Sequence, residues 1–341
     1  MTSFANEAAW LEGPNIQALK IGPGPAPNPA ENEVVIKVVY AAVNPVDWKL
    51  QGAPVGYLEY PTILGTDVAG VVVQLGSKVT QFELGQRVTG HCDGFLSKKQ
   101  TNMGYQLYST CNENLVTLVP DSLPLVNAVV LPIAVDTAGT ALYVHLELPL
   151  PTLEPAPIPK RILLWGGASS VGSSAIQLAV ASGLEVITTA SKANHEYVKS
   201  LGASHVVDYK DPNAVEQVVS LLQPGDYIVD CISTKDTQAN CGEILSRIGG
   251  GKLLVVDTPK GPFPDNVTAS LVICLDVGNT AAHVGDHLWH KFIPSALAAG
   301  KFQAKPDPYL IRGGLNKVQE GIDLLREGVS AKKIVIEIST E

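Results

Sequence analysis

From Arg161 onward the chain alternates apolar runs with helical stretches, and this rhythm limits the folds open to it more than any other feature. Strand-like runs occur at "RILLWG", "EVITTAS", "HVVDY", "DYIVDCI", "KLLVVD" and "SLVICLDV". Helical stretches over Val171–Ser182, Lys192–Leu201, Asn213–Leu222 and Asp236–Ile248 separate the first five, and the Pro-rich "TPKGPFPDNVTA" joins the last two. Strands that are apolar on both faces and alternate with helices predict a parallel sheet covered on both sides. Six of them predict a doubly wound, dinucleotide-binding α/β fold.

The first of these strands runs into "WGGASSVGSSAIQLA". Gly166 and Gly167 permit a tight turn, and Gly172 lets the following helix pack closely on the strand. Backbone N–H groups of Ser169, Ser170 and Val171 then face a pyrophosphate at the positive helix end. The spacing departs from strict G-x-G-x-x-G, because Ala168-Ser169-Ser170 replaces the middle of that pattern, and a glycine turn alone is weak evidence. Its position at the first strand of six strengthens it. The second strand ends in "TTASKANHEY". An NAD site wants a carboxylate there for the ribose 2′-hydroxyl. Here Ser191, Lys192 and Asn194 offer donors and one positive charge, while Glu196 falls later in the helix. The reading is NADPH, although Ser191 is also a good helix N-cap.

Upstream, "EVVIKVVYAAV" and "DVAGVVVQLG" are β-branched runs bounded by turn residues, so the first 120 residues read as strand-rich. The polar segment Cys92–Gly104 fits either a loop near a site or a surface excursion. From about Leu123 the texture becomes helical, and five prolines between Pro149 and Pro159 mark a stiff connection. After Gly278 come two helical stretches and a last strand, "KKIVIEI", a tail that returns to the N-terminal half. No apolar run is long and unbroken enough to suggest a membrane span. The net charge of −9 argues against nucleic acid or an anionic membrane as partner. Five scattered cysteines without C-x-x-C spacing, and no signal-peptide pattern, point to free thiols in the cytosol. His283, His287 and His290 with Asp286 share helical spacing, but a solvated or packed helix face accounts for them better than a metal.

The segments "AAVNPVDWKLQG", "PTILGTDVAGVVVQLGSKVTQFELGQRVTG", "DTAGTAL", "GGASSVGSSAIQLA" and "LGASHVVDY" together resemble the medium-chain dehydrogenase/reductase superfamily over nearly the whole chain. The resemblance implies a GroES-like β-barrel catalytic domain at residues 1–135, completed by 280–341, and a Rossmann NADPH-binding domain at 136–279. Zinc members carry Cys in the first segment and Gly-His-Glu in the second. This chain has Asn44 and Asp47, then Gly65-Thr66-Asp67, and lacks the four-Cys lobe, so no metal is expected. A zinc-free member resembles the quinone-oxidoreductase and enoyl-reductase branch, and within it "NPVDWK", "LPIAVDTAG", "SKAN" and "YVKSLGASHVVDYKDPNAV" make the chain most similar to the stand-alone, trans-acting enoyl reductases that serve polyketide synthases. That similarity implies cofactor contacts at Val46, Asp47, Trp48 and Lys49, at Ala168, Ser169, Ser170 and Val171, at Ser191, Lys192, Ala193 and Asn194, and at Tyr209, Val256, Asp257, Ser330 and Ala331. The substrate channel is implied along Ala138, Gly139, Thr140, Ala141 and Leu142, continuing to His145, and at Leu275, Asp276, Val277 and Gly278. One departure is Asn194, which stands where quinone oxidoreductases usually place a Lys for the 2′-phosphate.

Reduction of an activated C=C needs a hydride for the β-carbon, donors for the developing enolate and a proton for the α-carbon. Lys49 is the first candidate for the enolate donor and Thr137 the second, with Tyr57, Tyr60 or water as proton source. The expected function is NADPH-dependent enoyl reduction of an α,β-unsaturated polyketide thioester, with an acyl carrier domain as possible partner. The rival readings are a reductase of free quinones or enones, and a non-catalytic NADPH-binding protein. Monomer and homodimer stay open.

Overall fold

The computed structural model describes residues 5–53 and 56–340. The chain forms two compact units. One runs to Ile133 and takes back Trp289–Ala299 and the tail from Asp307; the other comprises Ala134–Leu288 and Gly300–Pro306. The sequence suggested a boundary after residue 135 and a return at 280. The observed divisions are at Ile133 and Trp289, with Gly300–Pro306 returning to the second unit.

The second unit is built on a six-stranded sheet with every neighbouring pair parallel. In spatial order the strands are His205–Val207, Glu185–Thr189, Arg161–Trp165, Tyr227–Asp230, Gly251–Val255 and Val267–Leu271. In chain order that is 3-2-1-4-5-6, the doubly wound arrangement with its reversal beside the first strand. Ile162, Leu163, Leu164, Ile187, Ile228, Leu253 and Leu254 are fully buried, which is why these strands carry no polar alternation. Four helices, Ser170–Ala181, His195–Ser200, Ala214–Leu221 and Lys235–Arg247, connect the first five strands.

The last strand corrects one expectation. The apolar run Ser270–Val277 is not a strand throughout; the strand is Val267–Leu271, and Cys274–Gly278 is a 3₁₀ turn. Turn chemistry overrides hydrophobicity here. The Asp276 carbonyl accepts from the Asn279 and Ala281 amides at 3.1 and 2.8 Å, which bends the chain off the sheet.

The first unit holds a seven-stranded sheet and a small three-stranded one. Glu33–Ala42 pairs antiparallel with Asp67–Leu75, with Tyr108–Asn112, and with Lys332–Glu337 from the end of the chain. The tail registers Val335 on Ala42 and Ile336 on Ala41. Ile334 and Ile336 are fully buried with Ile36, Val38 and Val68 in one core, so the tail closes that core. Cys92–Gly104 contains two short helical turns, and its Asn102 is buried, donating to Glu33 and Asp93 at 2.9 and 2.8 Å.

A second correction concerns Leu125–His145. By length and composition this helical stretch could cross a membrane, but most of it is buried inside the protein, as a core helix is. Its last turns, Thr140–His145, are π-helical. The first helical stretch expected after Gly278 is likewise interrupted by a π-helical segment, His287–Phe292.

If the tail strand closes the first core, Ile336→Ala leaves a cavity that costs about 2–5 kcal/mol. Urea unfolding checks this, and a loss below ~1 kcal/mol contradicts it.

Candidate functional site

In the second unit the strand Arg161–Trp165 ends in a tight glycine turn. Gly166 has φ +86°, a conformation that favours glycine. Its N–H donates to Thr189 Oγ1 at 2.9 Å, and Gly167 N–H donates to the Thr189 carbonyl at 3.0 Å, so the turn hangs on the end of the neighbouring strand. Ser169 caps the helix Ser170–Ala181 by accepting from Gly172 N–H at 3.0 Å. A Cβ on Gly172 would sit 2.3 Å from the Gly166 carbonyl oxygen, so helix and turn come this close only with glycine. Ala168, Ser169, Ser170 and Val171 are all half-buried at the helix N-terminus, where backbone N–H groups and the helix dipole favour an anion.

The other cofactor residues expected in this unit follow the C-terminal ends of its strands. Ser191 and Asn194 are joined by a 3.2 Å hydrogen bond from the Asn194 amide, and Lys192 and Ala193 are exposed beside them. Glu196 is turned to Lys199 at 2.8 Å. Tyr209 is 47% exposed. Val256 N–H donates to Ser233 Oγ at 2.9 Å, and Asp257 pairs with Lys260 at 2.8 Å. The structure also joins the two expected channel segments: Thr140 Oγ1 donates to the Cys274 carbonyl at 3.4 Å, and Gly139 lies against Val277 and Leu288.

A network at this edge had no counterpart in the sequence reading. Asp230 accepts from the Ile232 and Ser233 amides, both at 2.9 Å, and from the Thr237 hydroxyl at 2.6 Å. Ser233 holds φ +58°, rare for a residue with a side chain, and its carbonyl accepts from Lys260 Nζ. Burial pushes the Asp230 carboxyl up, while Thr237 and the two amides oppose it. The signal was an Asp closing an apolar strand before "CIST".

In the first unit, Asn44 precedes the helix Pro45–Gln51, with Pro at its first position as the missing N–H allows. This helix carries Val46, Asp47, Trp48 and Lys49. Lys49 is exposed, its ammonium 5.7 Å from the Trp48 ring centre. Asp47 is fully buried; its carboxylate accepts from Asn44 N–H and the Tyr105 hydroxyl, both at 2.7 Å, and from Gly65 N–H at 3.1 Å. The side chain is thereby committed to the protein interior. Burial pushes its pKa up to about 6 against these donors. Ser330 is exposed, and Ala331, with φ +49°, leads into the tail strand. Thr137, which belongs to the second unit, is buried in the helix Pro132–Gly139. Tyr57 is exposed, and the Tyr60 hydroxyl is buried without a partner among the described residues.

The two segments that bear ligands in zinc dehydrogenases meet here around a different chemistry. Asp67 Oδ2 accepts from Asn44 Nδ2 at 2.9 Å and from Lys333 Nζ at 3.0 Å, and Oδ1 accepts from Ile133 N–H at 2.9 Å. Asn44 Nδ2 also donates to Thr66 Oγ1 at 3.1 Å, and Lys333 Nζ donates to Asn44 Oδ1. An amide, a hydroxyl and a carboxylate already held by a buried ammonium do not fit zinc, which is bound through thiolate, imidazole or an available carboxylate. His287 Nε2 lies 2.8 Å from the Pro151 carbonyl, and His290 Nε2 lies 2.9 Å from that of Glu113. Among the described residues no cluster of His, Cys, Asp or Glu suits a metal.

A doubly wound unit with a phosphate-type helix start, joined in one chain to a β-sheet unit closed by its own tail, defines a two-domain NAD(P)-binding oxidoreductase. Comparison with known proteins agrees. Residues 30–121 match the family model "Alcohol dehydrogenase GroES-like domain", and residues 170–293 match "Zinc-binding dehydrogenase". The chain is 62% identical over 339 residues to trans-enoyl reductase himH of Aspergillus japonicus, covering 99% of both chains. It is 34% identical to dehydrogenase orsE of Emericella nidulans, covering 98% of this chain and 99% of the other. Among solved structures, CurK enoyl reductase superposes with TM-score 0.75 at 18% identity over 98% of this chain and 100% of that one. The chain therefore belongs to the medium-chain dehydrogenase/reductase family.

Asp47 yields a pH test. Its folded pKa of about 6 lies above the ordinary 3.8, so between about pH 4 and pH 6 the folded state holds this proton more tightly than the unfolded chain. The stability it contributes is thus present at acid pH and declines as pH rises through that window. The cost of Asp47→Asn, measured by urea unfolding, is expected to be larger at about pH 4.5 than at pH 7. A cost that grows toward neutral pH contradicts the assignment.

Proposed function

We propose that the chain is an NADPH-dependent enoyl reductase acting in trans on an α,β-unsaturated thioester carried by a polyketide synthase, in the biosynthesis of a secondary metabolite. The observation that carries this reading is the replacement of the zinc-ligand positions by the Asn44–Asp67–Lys333 network in a chain of dehydrogenase family. Without zinc ligands the reaction has to be one that carbon, a proton donor and a dinucleotide can complete. Reduction of a C=C activated by a neighbouring carbonyl is such a reaction. The 62% identity with a trans-enoyl reductase supports the same choice.

When bound, NADPH would supply the hydride that the β-carbon requires. Ala168–Val171 would hold the pyrophosphate through backbone N–H groups. Ser191, Lys192 and Asn194 would hold the 2′-phosphate, in a stretch where Glu196, the nearest carboxylate in sequence, is occupied by Lys199. The first-unit cofactor positions are Val46–Lys49 with Ser330 and Ala331. Lys49 is assigned as donor to the developing enolate oxygen, with Thr137 as second donor. A preorganised donor at that oxygen lowers the barrier by a few kcal/mol, and water delivers the α-proton. The acyl chain is assigned to the segments Ala138–Leu142 and Leu275–Gly278, which Thr140 ties together. All five cysteines are free thiols, in keeping with a cytosolic protein.

The test follows NADPH oxidation with an enoyl-pantetheine thioester, with NADH and a simple quinone run alongside. The expected result is turnover of the thioester, with NADPH favoured over NADH by at least about 10-fold in kcat/KM. Lys192→Ala should raise the KM for NADPH about 10-fold, the scale of one charge-assisted hydrogen bond. Turnover of the quinone alone, or equal use of NADH, overturns the reading.

A further inference from the structure

The helix Pro45–Gln51 is seven residues long, with Trp48 half-buried and Lys49 exposed on its outer side. A helix this short is marginal by itself, so its position depends on what holds its inner face. That face is Asp47, Leu50 and Gln51. Leu50 packs into the core of the first unit, and the Gln51 amide donates to Gln319 Oε1 at 2.8 Å on the tail helix Val318–Glu327. The first turn is held by Asp47. A buried carboxylate is costly unless fixed donors meet it. Two of its three donors are the Asn44 and Gly65 backbone amides; the third is a side chain, the Tyr105 hydroxyl at 2.7 Å.

Tyr105 is itself fully buried and locked on several sides. Gly65, at φ +89°, lies against its ring so closely that a Cβ there would be 2.8 Å from it. Gly104 N–H donates to the Gly65 carbonyl at 2.8 Å, Tyr105 N–H to that of Leu64 at 3.0 Å, and the Tyr105 carbonyl accepts from Ala9 N–H at 2.9 Å. The next residue, Gln106, is also fully buried; its amide donates to the Gln100, Thr101 and Met103 carbonyls at 2.9, 3.1 and 2.7 Å. The phenol is thus a rigid strut between this loop and the helix. Burial and the Asp47 carboxylate push its pKa well above the ordinary range, so it stays a donor. The second carboxylate near Asp47, Asp67, is paired with Lys333 at 3.0 Å. A Phe would fill the space that the Tyr105 ring fills. The hydroxyl adds the bond to Asp47.

We propose that Tyr105 is a positioning residue: through Asp47 its hydroxyl fixes the first turn of the helix Pro45–Gln51 and thereby places the Lys49 ammonium. Its part in turnover rests on the enoyl reductase reading with Lys49 as donor, whereas its hold on the helix does not. Lys49 follows Asp47 by two residues, so a tilt of the first turn is passed directly to it. A displacement of about 1 Å at a reacting group can cost about 100-fold in rate. Tyr105 touches no reacting atom in this scheme and acts only through the helix.

The experiment applies Tyr105→Phe to the full chain with two readouts. Hydrogen–deuterium exchange followed by mass spectrometry should show the segment 44–52 exchanging about 10-fold faster, the scale of one charge-assisted hydrogen bond, with the tail strand Lys332–Glu337 unchanged. Steady-state kinetics with NADPH and an enoyl-pantetheine thioester should show kcat/KM falling about 10-fold. In a Lys49→Ala background the same substitution should cost less than about 2-fold, because residues that act through one another are not additive. Asp47→Asn carries the same two readouts where Tyr105→Phe does not fold, and the two substitutions together should do no more than either alone. Unchanged exchange in segment 44–52 overturns the proposal, as does exchange that quickens equally in the tail strand. A full, additive loss of kcat/KM in the Lys49→Ala background also overturns it. Absence of thioester turnover by the unsubstituted protein removes the enoyl reductase reading, and the exchange result then decides the hold of Tyr105 on the helix by itself.

Discussion

The contact on which much of the first unit turns is the buried pair between Lys333 and Asp67. Removing two charges from water is costly unless every oxygen and proton finds a partner. Here Asp67 receives the ammonium, the Asn44 amide and the Ile133 backbone N–H. Those partners come from the tail strand, the start of the first helix and the start of the helix Pro132–Gly139. One carboxylate thus gathers segments that are nearly 300 residues apart in sequence. Loss of one charge would strand the other, a cost of about 3–5 kcal/mol for a buried pair. The same pair occupies the chemistry that a metal ion would otherwise demand of these segments.

In the second unit the equivalent constraint is steric. Gly166, Gly167 and Gly172 allow the helix Ser170–Ala181 to start almost on top of the strand it follows, with its N-terminus on the C-terminal edge of the sheet. Ser191–Asn194, Tyr209 and Val256–Asp257 come to that edge because parallel strands all end on the same side. Thr188 and Thr189 are fully buried; Thr188 bonds to the Leu164 carbonyl, and Thr189 holds the turn of the first strand from the end of the second. The polar residues Thr188 and Thr189 at this strand end are therefore structural.

Much of this was legible in the sequence. Fully apolar strands separated by helices announce a parallel sheet, because only burial on both faces allows them, and the six runs map onto six strands. The glycine spacing marked the turn. The limits lay where local pattern and tertiary demand diverge. Ser270–Val277 is apolar enough for a strand, yet Asp276 and Gly278 turn it. Leu125–His145 has the composition of a membrane span, yet it is a core helix. Asp47 stood in a motif expected to meet a cofactor, and its carboxylate faces inward to Tyr105. Lys333 could not be recognised as buried, since a lysine beginning "KKIVIEI" reads as a solvated strand end until its distant partner is known. Asp230 and Ser233 escaped for the same reason: their meaning lies in a left-handed turn that no periodicity reports.

The central claim is that this fold delivers hydride to a carbon–carbon double bond without a metal. The most direct measurement uses NADPH deuterated at C4, in separate samples for the two faces, with an enoyl thioester and protein dialysed against a chelator. Mass spectrometry and NMR of the product locate the label. The account predicts one deuterium on the β-carbon from one face only, a solvent proton on the α-carbon, and an unchanged rate after chelation. Label elsewhere, no label transfer, or a rate restored only by added zinc would contradict it.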